Sequence, residues 1–577
     1  MPLTLITGPA NAGKAGRVLD AYRGALDREP LLVVPTSADV AHYQRELAAA
    51  RVAFGGTVVH FARLVAEVAR RVGYASPVLG PVQRDRMVVA AIAGTPLRTL
   101  AASARAAGFA RAAGEAFAEL QRGLVTPEAL REALGSGSEV AALYEAYRDG
   151  LDRAGVVDDN QFAWRTLDAL RARPAGWGAR PVFVYGFDDF TGLEVALLGV
   201  LAAEAGADVN VALTFEPDRV AFAGRRRTHE RLAALAADEV ALPPRDEHYV
   251  AGSRGPLHQV ERRLFEIGAP RAPAAGAVRV LEAGGSRAEL ELVAAEVLET
   301  LAAGTPPDQI AIVFREPQAV AALAEQVFAD YGVPCDLRRR APLSHTPLGR
   351  GLLALLRCAG DDEAVDDLLT YLRTPGRVDV LDLVDRFEER VRREGIRSVA
   401  EAAALWPGIA GWPLEELEGL RRALGEGAVA TYEALERRTE RLLTRPRTRM
   451  AALLAPEEMP DARVYAAVRR ALRELHQLAG DERAPAPSPD ELHDALAELE
   501  IDLAVPSGGG VAVLSPLDVR ARRFRQVFLC GLQEGEFPRR GRPDPFLGDE
   551  VRAALGLPSR ADVLAGERVL FYAAVSR

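Results

Sequence analysis

Within the first 26 residues, the apolar run PLTLIT leads into GPANAGKA and then into AGRVLDAYRGAL, whose apolar residues recur with helical period. Strand, Gly-rich loop and helix in that order aim backbone N–H groups at one point, the geometry that cradles phosphate. The spelling is G-x-x-x-x-G-K, with Gly8, Asn11, Gly13 and Lys14 inside it and Ala15 where Ser or Thr is usual. Such a unit commits the chain to an α/β fold built on a parallel sheet. One count sharpens the reading: Lys and Arg total 71, and Lys14 is the only lysine among them. The single ammonium thus falls where a compact, flexible cation can reach phosphate oxygens that a planar guanidinium fits poorly. The rival is a chance match in a Gly/Ala-rich chain.

The α/β alternation continues through PLLVVPT and its helix SADVAHYQRELAAA, then through GGTVVHFARLVAEVARRV. A long Ala/Leu/Arg-rich helical stretch follows, after which PVFVYGF and ADVNVALTF resume the strands. GAPRAPAAGA reads as a linker. VRVLEAGG is expected to open a second α/β block with SRAELELVAAEVLETLAAG and QIAIVFR. A second helical stretch, broken by TRPRTR and APAPSPDE, gives way to GGGVAVLSPLD and FRQVFLCGL. The expected fold is therefore α/β: two parallel-sheet P-loop domains, each with a large helical insertion. Residues 1–75 form the first part of domain 1, 76–170 its insertion and 171–267 its second part. Residues 268–277 link it to domain 2, made of 278–342, an insertion at 343–503, and 504–577. The chain ends in a helix-like segment with no closing turn, so a continuation past Arg577 is expected.

The net charge of −10 argues against an indiscriminate polyanion binder, although a basic channel can hide in a large acidic protein. The apolar stretch Val195 to Leu213 is broken by Glu204 and Asp208, so no membrane partner is expected. Cys335, Cys358 and Cys530 are far apart and cannot by themselves ligate a four-cysteine cluster, so no iron–sulfur cluster is expected in this segment. The absence of a secretory signal and the sparse cysteines predict a cytoplasmic setting.

Several phrases carry a resemblance. GPANAGK, VYGFDDFTGLE, IAIVFREPQAVAALAEQVFADYGVPCDL, PLGRGLLALLR, LLTYLRTPG, RRFRQVFLCGLQEGEFP and GERVLFYAAVSR occur in this order along nearly the whole chain. Together they resemble the UvrD/RecB-like helicase superfamily, and more closely the AddB-type subunit of bacterial ATP-dependent helicase/deoxyribonucleases. The resemblance implies two RecA-like halves that hold single-stranded DNA, with ATP between them. Lys14 would hold the phosphates; Arg315 and Arg577 would reach the γ-phosphate from the second half. The alternative for Arg315 is a strand-end surface arginine. The resemblance also implies a PD-(D/E)xK nuclease domain, which needs a lysine beside the attacked phosphate. Lys14 is the only lysine, so the usual form of that site does not lie within 1–577.

The chain departs from a working motor. Ala15 lacks the hydroxyl that ligates Mg2+. At the end of the VFVYGF strand, Tyr185 and Gly186 occupy the places of the motor's Asp-Glu pair. Asp188 and Asp189 lie just downstream and could shift into that catalytic role, or serve as a solvated turn or helix cap. Only seven residues precede Gly8, leaving no room for an adenine-reading segment. ATP binding is expected to survive while hydrolysis and Mg2+ use are doubtful.

Thr36, Ser37, Thr57, His60 and Phe61 sit where motors of this class touch single-stranded DNA, with hydroxyls toward phosphates and the rings available for stacking; packing is the plain alternative. Among the arginine runs 225–227, 338–340, 520–525 and 539–542, the best candidates for backbone contact are Arg520, Arg522 and Arg523. The resemblance implies the DNA-binding subunit of a complex that processes double-strand ends for recombinational repair, acting on single-stranded DNA or duplex ends beside an AddA-type motor/nuclease partner. Its rivals are a purely structural DNA-binding scaffold, an unrelated P-loop enzyme such as a small-molecule kinase, and a slow helicase in its own right.

Overall fold

The computed structural model describes residues 3–50, 55–106, 108–443, 454, 458–479, 486–506, 508–520 and 522–577. The TRPRTR break and the first residues of APAPSPDE lie outside them.

The N-terminal apolar runs become strands because their β-branched and leucine side chains are buried on both faces of one sheet. These strands are Leu3–Gly8 (β1), Leu31–Val34 (β2), Thr57–His60 (β3), Val182–Val184 (β4) and Val209–Thr214 (β5), and the charged, largely exposed segment Ala236–Ala241 (β6) joins them at the edge. All pair in parallel, in the order β3-β2-β4-β5-β1-β6, with Leu3 opposite Val209 and Leu31 opposite Val182. Parallel pairing puts every strand's carboxyl end on one edge, which is where open α/β sheets place their sites. The loops after β1, β2, β3 and β4 therefore converge there, although the chain between β3 and β4 exceeds 100 residues.

That intervening chain includes the helices Pro81–Gly94, Phe109–Arg122, Pro127–Leu134, Glu139–Ala154 and Asp159–Ala172, with a core around Phe117, Tyr144 and Tyr147. The second lobe is built on Ile310–Val313 (β7), Cys335–Leu337 (β8), Val511–Leu514 (β11) and Gln526–Leu529 (β12), all parallel in the order β12-β7-β11-β8. Both lobes are RecA-like parallel-sheet units. Arg339–Pro342 (β9) and Glu500–Ala504 (β10) pair antiparallel at the root of the second helical stretch, whose core gathers around Phe387 and Trp406.

VRVLE does not form the expected strand. Val280 is 92% exposed, and Arg279 forks onto Glu296 with both distances 2.6 Å. The run is short, and glycines bracket it at 276 and 284. The two helical stretches touch: Gln83 Nε2 donates to the Glu474 carbonyl at 2.6 Å, and Arg86 pairs with Glu491 at 3.3 Å. Among the described residues no helix is long and apolar enough to cross a membrane, and all three cysteines are free.

Candidate functional site: the cleft between the lobes

Helix Arg560–Val575 of the second lobe lies against the turn Val220–Arg225 of the first and closes over the Gly-rich loop. The approach is tight. A Cβ on Gly224 would stand 2.6 Å from the Ala565 carbonyl carbon and the Gly566 nitrogen, so only a glycine fits there.

The loop itself ends β1 and starts helix Lys14–Gly24. Gly13, its N-cap, has φ 87°, a left-handed conformation that glycine adopts without strain. Asn11 also has positive φ, 61°, and its side chain donates to the Ser576 carbonyl at 2.8 Å. Lys14 is 5% exposed, and Nζ donates to the carbonyls of Gly8, at 2.9 Å, and Pro9. Burial, then the nearby Arg577 guanidinium, pushes its pKa down to about 7.

Tyr572 enters the loop from the facing helix. Its oxygen accepts from the Ala10 N–H at 2.9 Å, and its hydroxyl donates to Glu261, which is 2% exposed. Arg219 supports this pair, donating to the Glu261 carbonyl at 2.8 Å while lying over the Tyr572 ring. A phenolic oxygen thus takes one loop amide of the kind that would otherwise face a phosphate.

Beside the loop lies a cavity of about 30 Å³, space for about one water. Its charged lining is Lys14, Arg225, Arg520 and Arg577 against the single carboxylate of Asp188. Asp188 receives Arg225 Nη2 at 2.7 Å and Arg520 Nη1 at 3.0 Å, one from each lobe. Burial would raise its pKa, but the two guanidiniums outweigh burial and hold the carboxyl below its usual range. Arg225 is 3% exposed. Its Nη1, together with Nε of Arg520 and of Arg577, is buried without a hydrogen-bond partner.

The remaining expected residues fall as follows. Tyr185 and Gly186 line the cavity at the end of β4, and Ala15 contributes no side-chain oxygen. Asp189 is exposed and accepts from the Phe190 N–H at 2.8 Å and from the Thr228 hydroxyl, a turn-stabilising arrangement rather than a catalytic one. Arg577 lines the cavity and donates to Asn11 Oδ1 at 3.4 Å. Arg315 does not line it: its guanidinium forks onto Glu567 of helix Arg560–Val575, with Nη2 at 2.6 Å. Reach toward a phosphate is thus replaced by an ion pair within the second lobe.

Thr36 caps helix Ser37–Ala50 by exchanging hydrogen bonds with Asp39, its hydroxyl donating at 2.8 Å. Ser37 is exposed in the first turn of that helix, and Thr57 is exposed at the start of β3. His60 is the N-cap of helix Phe61–Val72, and Phe61 meets Phe187 edge-on at 6.2 Å. Arg520 belongs to the cleft, not to an outward backbone track, because Asp188 draws it inward. Arg522 is half-buried and Arg523 exposed. Sequence reasoning missed Tyr572, Glu261 and the cleft role of Arg225. Tyr572 lies in the phrase GERVLFYAAVSR, and Arg225 opens a run read as a backbone contact.

This donor set fits an anion and does not fit Mg2+. Asp188 is already paired twice, no hydroxyl stands at 15, and among the described residues no group of three His, Cys, Asp or Glu could hold a metal.

The fold and this cleft define a protein of two RecA-like lobes with a Gly-rich strand-to-helix loop facing the lobe junction. Residues 5–245 match the family model described as ADDB, N-terminal. The chain is also similar to proteins named as the B-type subunit of ATP-dependent helicase/deoxyribonuclease. That of Desulforudis audaxviator is 28% identical, over 100% of this chain and 56% of the relative. That of Symbiobacterium thermophilum is 28% identical over 72% and 39%, and that of Heliobacterium modesticaldum 26% over 98% and 52%. The resemblance to AddB-type subunits is therefore shown, by the family model in the N-terminal part and by these relatives along most of the chain. The chain spans about half the length of the curated relatives it matches.

Proposed function

We propose that this chain is the DNA-binding subunit of a helicase–nuclease complex that processes double-strand ends for recombinational repair. It binds single-stranded DNA or duplex ends and works beside an AddA-type subunit that carries the motor. Its cleft is a degenerate nucleotide site: it keeps the lysine and lacks the metal ligand and the catalytic carboxylates. ATP would sit with its phosphates toward Lys14 and the arginines, once the lobes part from the small cavity between them. Bound there, ATP supplies a polyanion that neutralises the cationic lining. Lys14 and the loop amides hold the phosphates, Gly13 lets the backbone come close, and among the described residues no free carboxylate lines the cleft to activate water.

The observation that supports this reading is the burial of the chain's only ammonium in the junction of two parallel-sheet lobes, next to a strand end carrying Tyr185 and Gly186. The test uses the protein without its partner. DNA-end binding should weaken steeply with salt, and ATP should bind without DNA-stimulated hydrolysis. Binding should be lost in Lys14→Ala. Hydrolysis without a partner would mean a slow helicase, and salt-insensitive or absent DNA binding would favour an unrelated P-loop enzyme. One observation favours a second reading, the purely structural scaffold: the Tyr572 oxygen already satisfies the Ala10 amide. Absence of nucleotide binding would select it.

A further inference from the structure

A divalent cation in a P-loop site does two jobs: it neutralises phosphate charge and it ties phosphate to the protein's carboxylates. Here the nearest carboxylate, Asp188, is taken by Arg225 Nη2 at 2.7 Å and Arg520 Nη1 at 3.0 Å. Each of these guanidiniums keeps a further buried N–H without a partner, Nη1 of Arg225 and Nε of Arg520. Both side chains are nearly sealed from water, at 3% and 8% exposure, and both line the same small cavity as Lys14. Lining charge is lopsided: three guanidiniums, and Lys14 below about pH 7, face one carboxylate, with Asp39 Oδ2 behind at 3.9 Å from Arg520 Nη2. A buried donor without an acceptor is costly, and a buried charge without a partner more so. The site is thus built with unspent N–H donors and surplus positive charge.

We propose that Arg225 and Arg520 stand in for the divalent cation, so that the cleft takes a polyphosphate, such as a nucleoside triphosphate, without Mg2+. The inference rests on reading the cleft as a phosphate site and deepens that reading by naming the metal-free form as the ligand. One guanidinium comes from each lobe, so the bound anion joins the lobes as a metal ion bridging ligands from both would. Because Asp188 orients both groups and carries the only lining carboxylate, it is a positioning residue in this arrangement. Mg2+ would compete with the arginines for the same phosphate oxygens, and metal-bound ATP would present less charge to them.

The experiment is a titration of the intact protein, without a partner, with a fluorescent ATP analogue in EDTA and in excess Mg2+. Inorganic tripolyphosphate serves as the competitor. Affinity in EDTA should equal or exceed that in Mg2+, and tripolyphosphate should displace the analogue. Arg520→Gln should weaken binding in EDTA by ~10-fold, the scale of one charge-assisted contact, while Arg520→Lys recovers part of it. Binding seen only with Mg2+ would overturn the arginine substitution and leave the phosphate site standing. Binding in neither solution would overturn the phosphate reading and this inference with it. The wild-type comparison in EDTA and Mg2+ needs no variant, so an unfolded substitution does not remove the test.

Discussion

A buried ammonium makes folding depend on pH in a direction that can be worked out. Lys14 titrates near pH 7 when folded and near 10.5 when free. Between those values the unfolded chain holds a proton that the folded chain has released, so this group makes the protein more stable as pH rises through the window. Urea or thermal midpoints from pH 7 to 10 should therefore climb more for wild type than for Lys14→Met, and parallel profiles would contradict the assigned burial. Tyr572→Phe deletes the acceptor of the Ala10 N–H and the donor to Glu261. It should lower stability by about 1–3 kcal/mol in a denaturation series, with an unchanged midpoint as the contrary result. The loop and its lysine are legible in the sequence because the chemistry is local, packed into seven residues. Tyr572 is not legible in the same way, since its partner lies 562 positions away and only folding brings them together. Asp188 is visible in the sequence as a carboxylate near a strand end, but its two guanidiniums come from distant segments and decide what it does.

At the scale of elements, the seating of helix Arg560–Val575 depends on Gly224. A Cβ 2.6 Å from two backbone atoms cannot be absorbed by a side-chain rotation, so Gly224→Ala should push the helix off the Val220–Arg225 turn. The expected cost is about 1–3 kcal/mol, with faster proteolysis near the cleft than in wild type; equal cleavage rates would mean that the backbone shifts freely. The strands β1 to β5 and β7 follow from runs of apolar and β-branched residues long enough to be read directly. β6 does not, because AADEVA is a charged edge strand that, among the described residues, pairs with β1 alone. The reverse error occurs at VRVLE, where a strand-like spelling finds no place in the sheet and Val280 stays in water. Pattern reports what a segment can pair with; the sheet decides whether a neighbour is there.

At the scale of the molecule, the segment before helix Arg560–Val575 crosses from the second lobe to the first helical stretch. Leu547 and Leu557 join the core around Phe117, and Arg552 binds Glu119 and Asp544 while only 9% of its side chain is exposed. Arg552→Ala leaves Glu119 and Asp544 without their cation and should cost about 3 kcal/mol. Differential hydrogen exchange should show the loss in both the first helical stretch and residues 541–557, whereas protection lost in one alone would argue that the two open separately. Helix Arg560–Val575 extends this cross-lobe packing to the loop. Glu567 grips Arg315 after β7, and Tyr572, five residues on and about 7.5 Å further along the axis, reaches the Ala10 amide. The helix therefore behaves as a stiff push-rod with an anchor in each half. Admitting a bulky guest at the mouth requires this rod to travel whole, so the event would be felt at the far sheet as a displacement of its β7 corner.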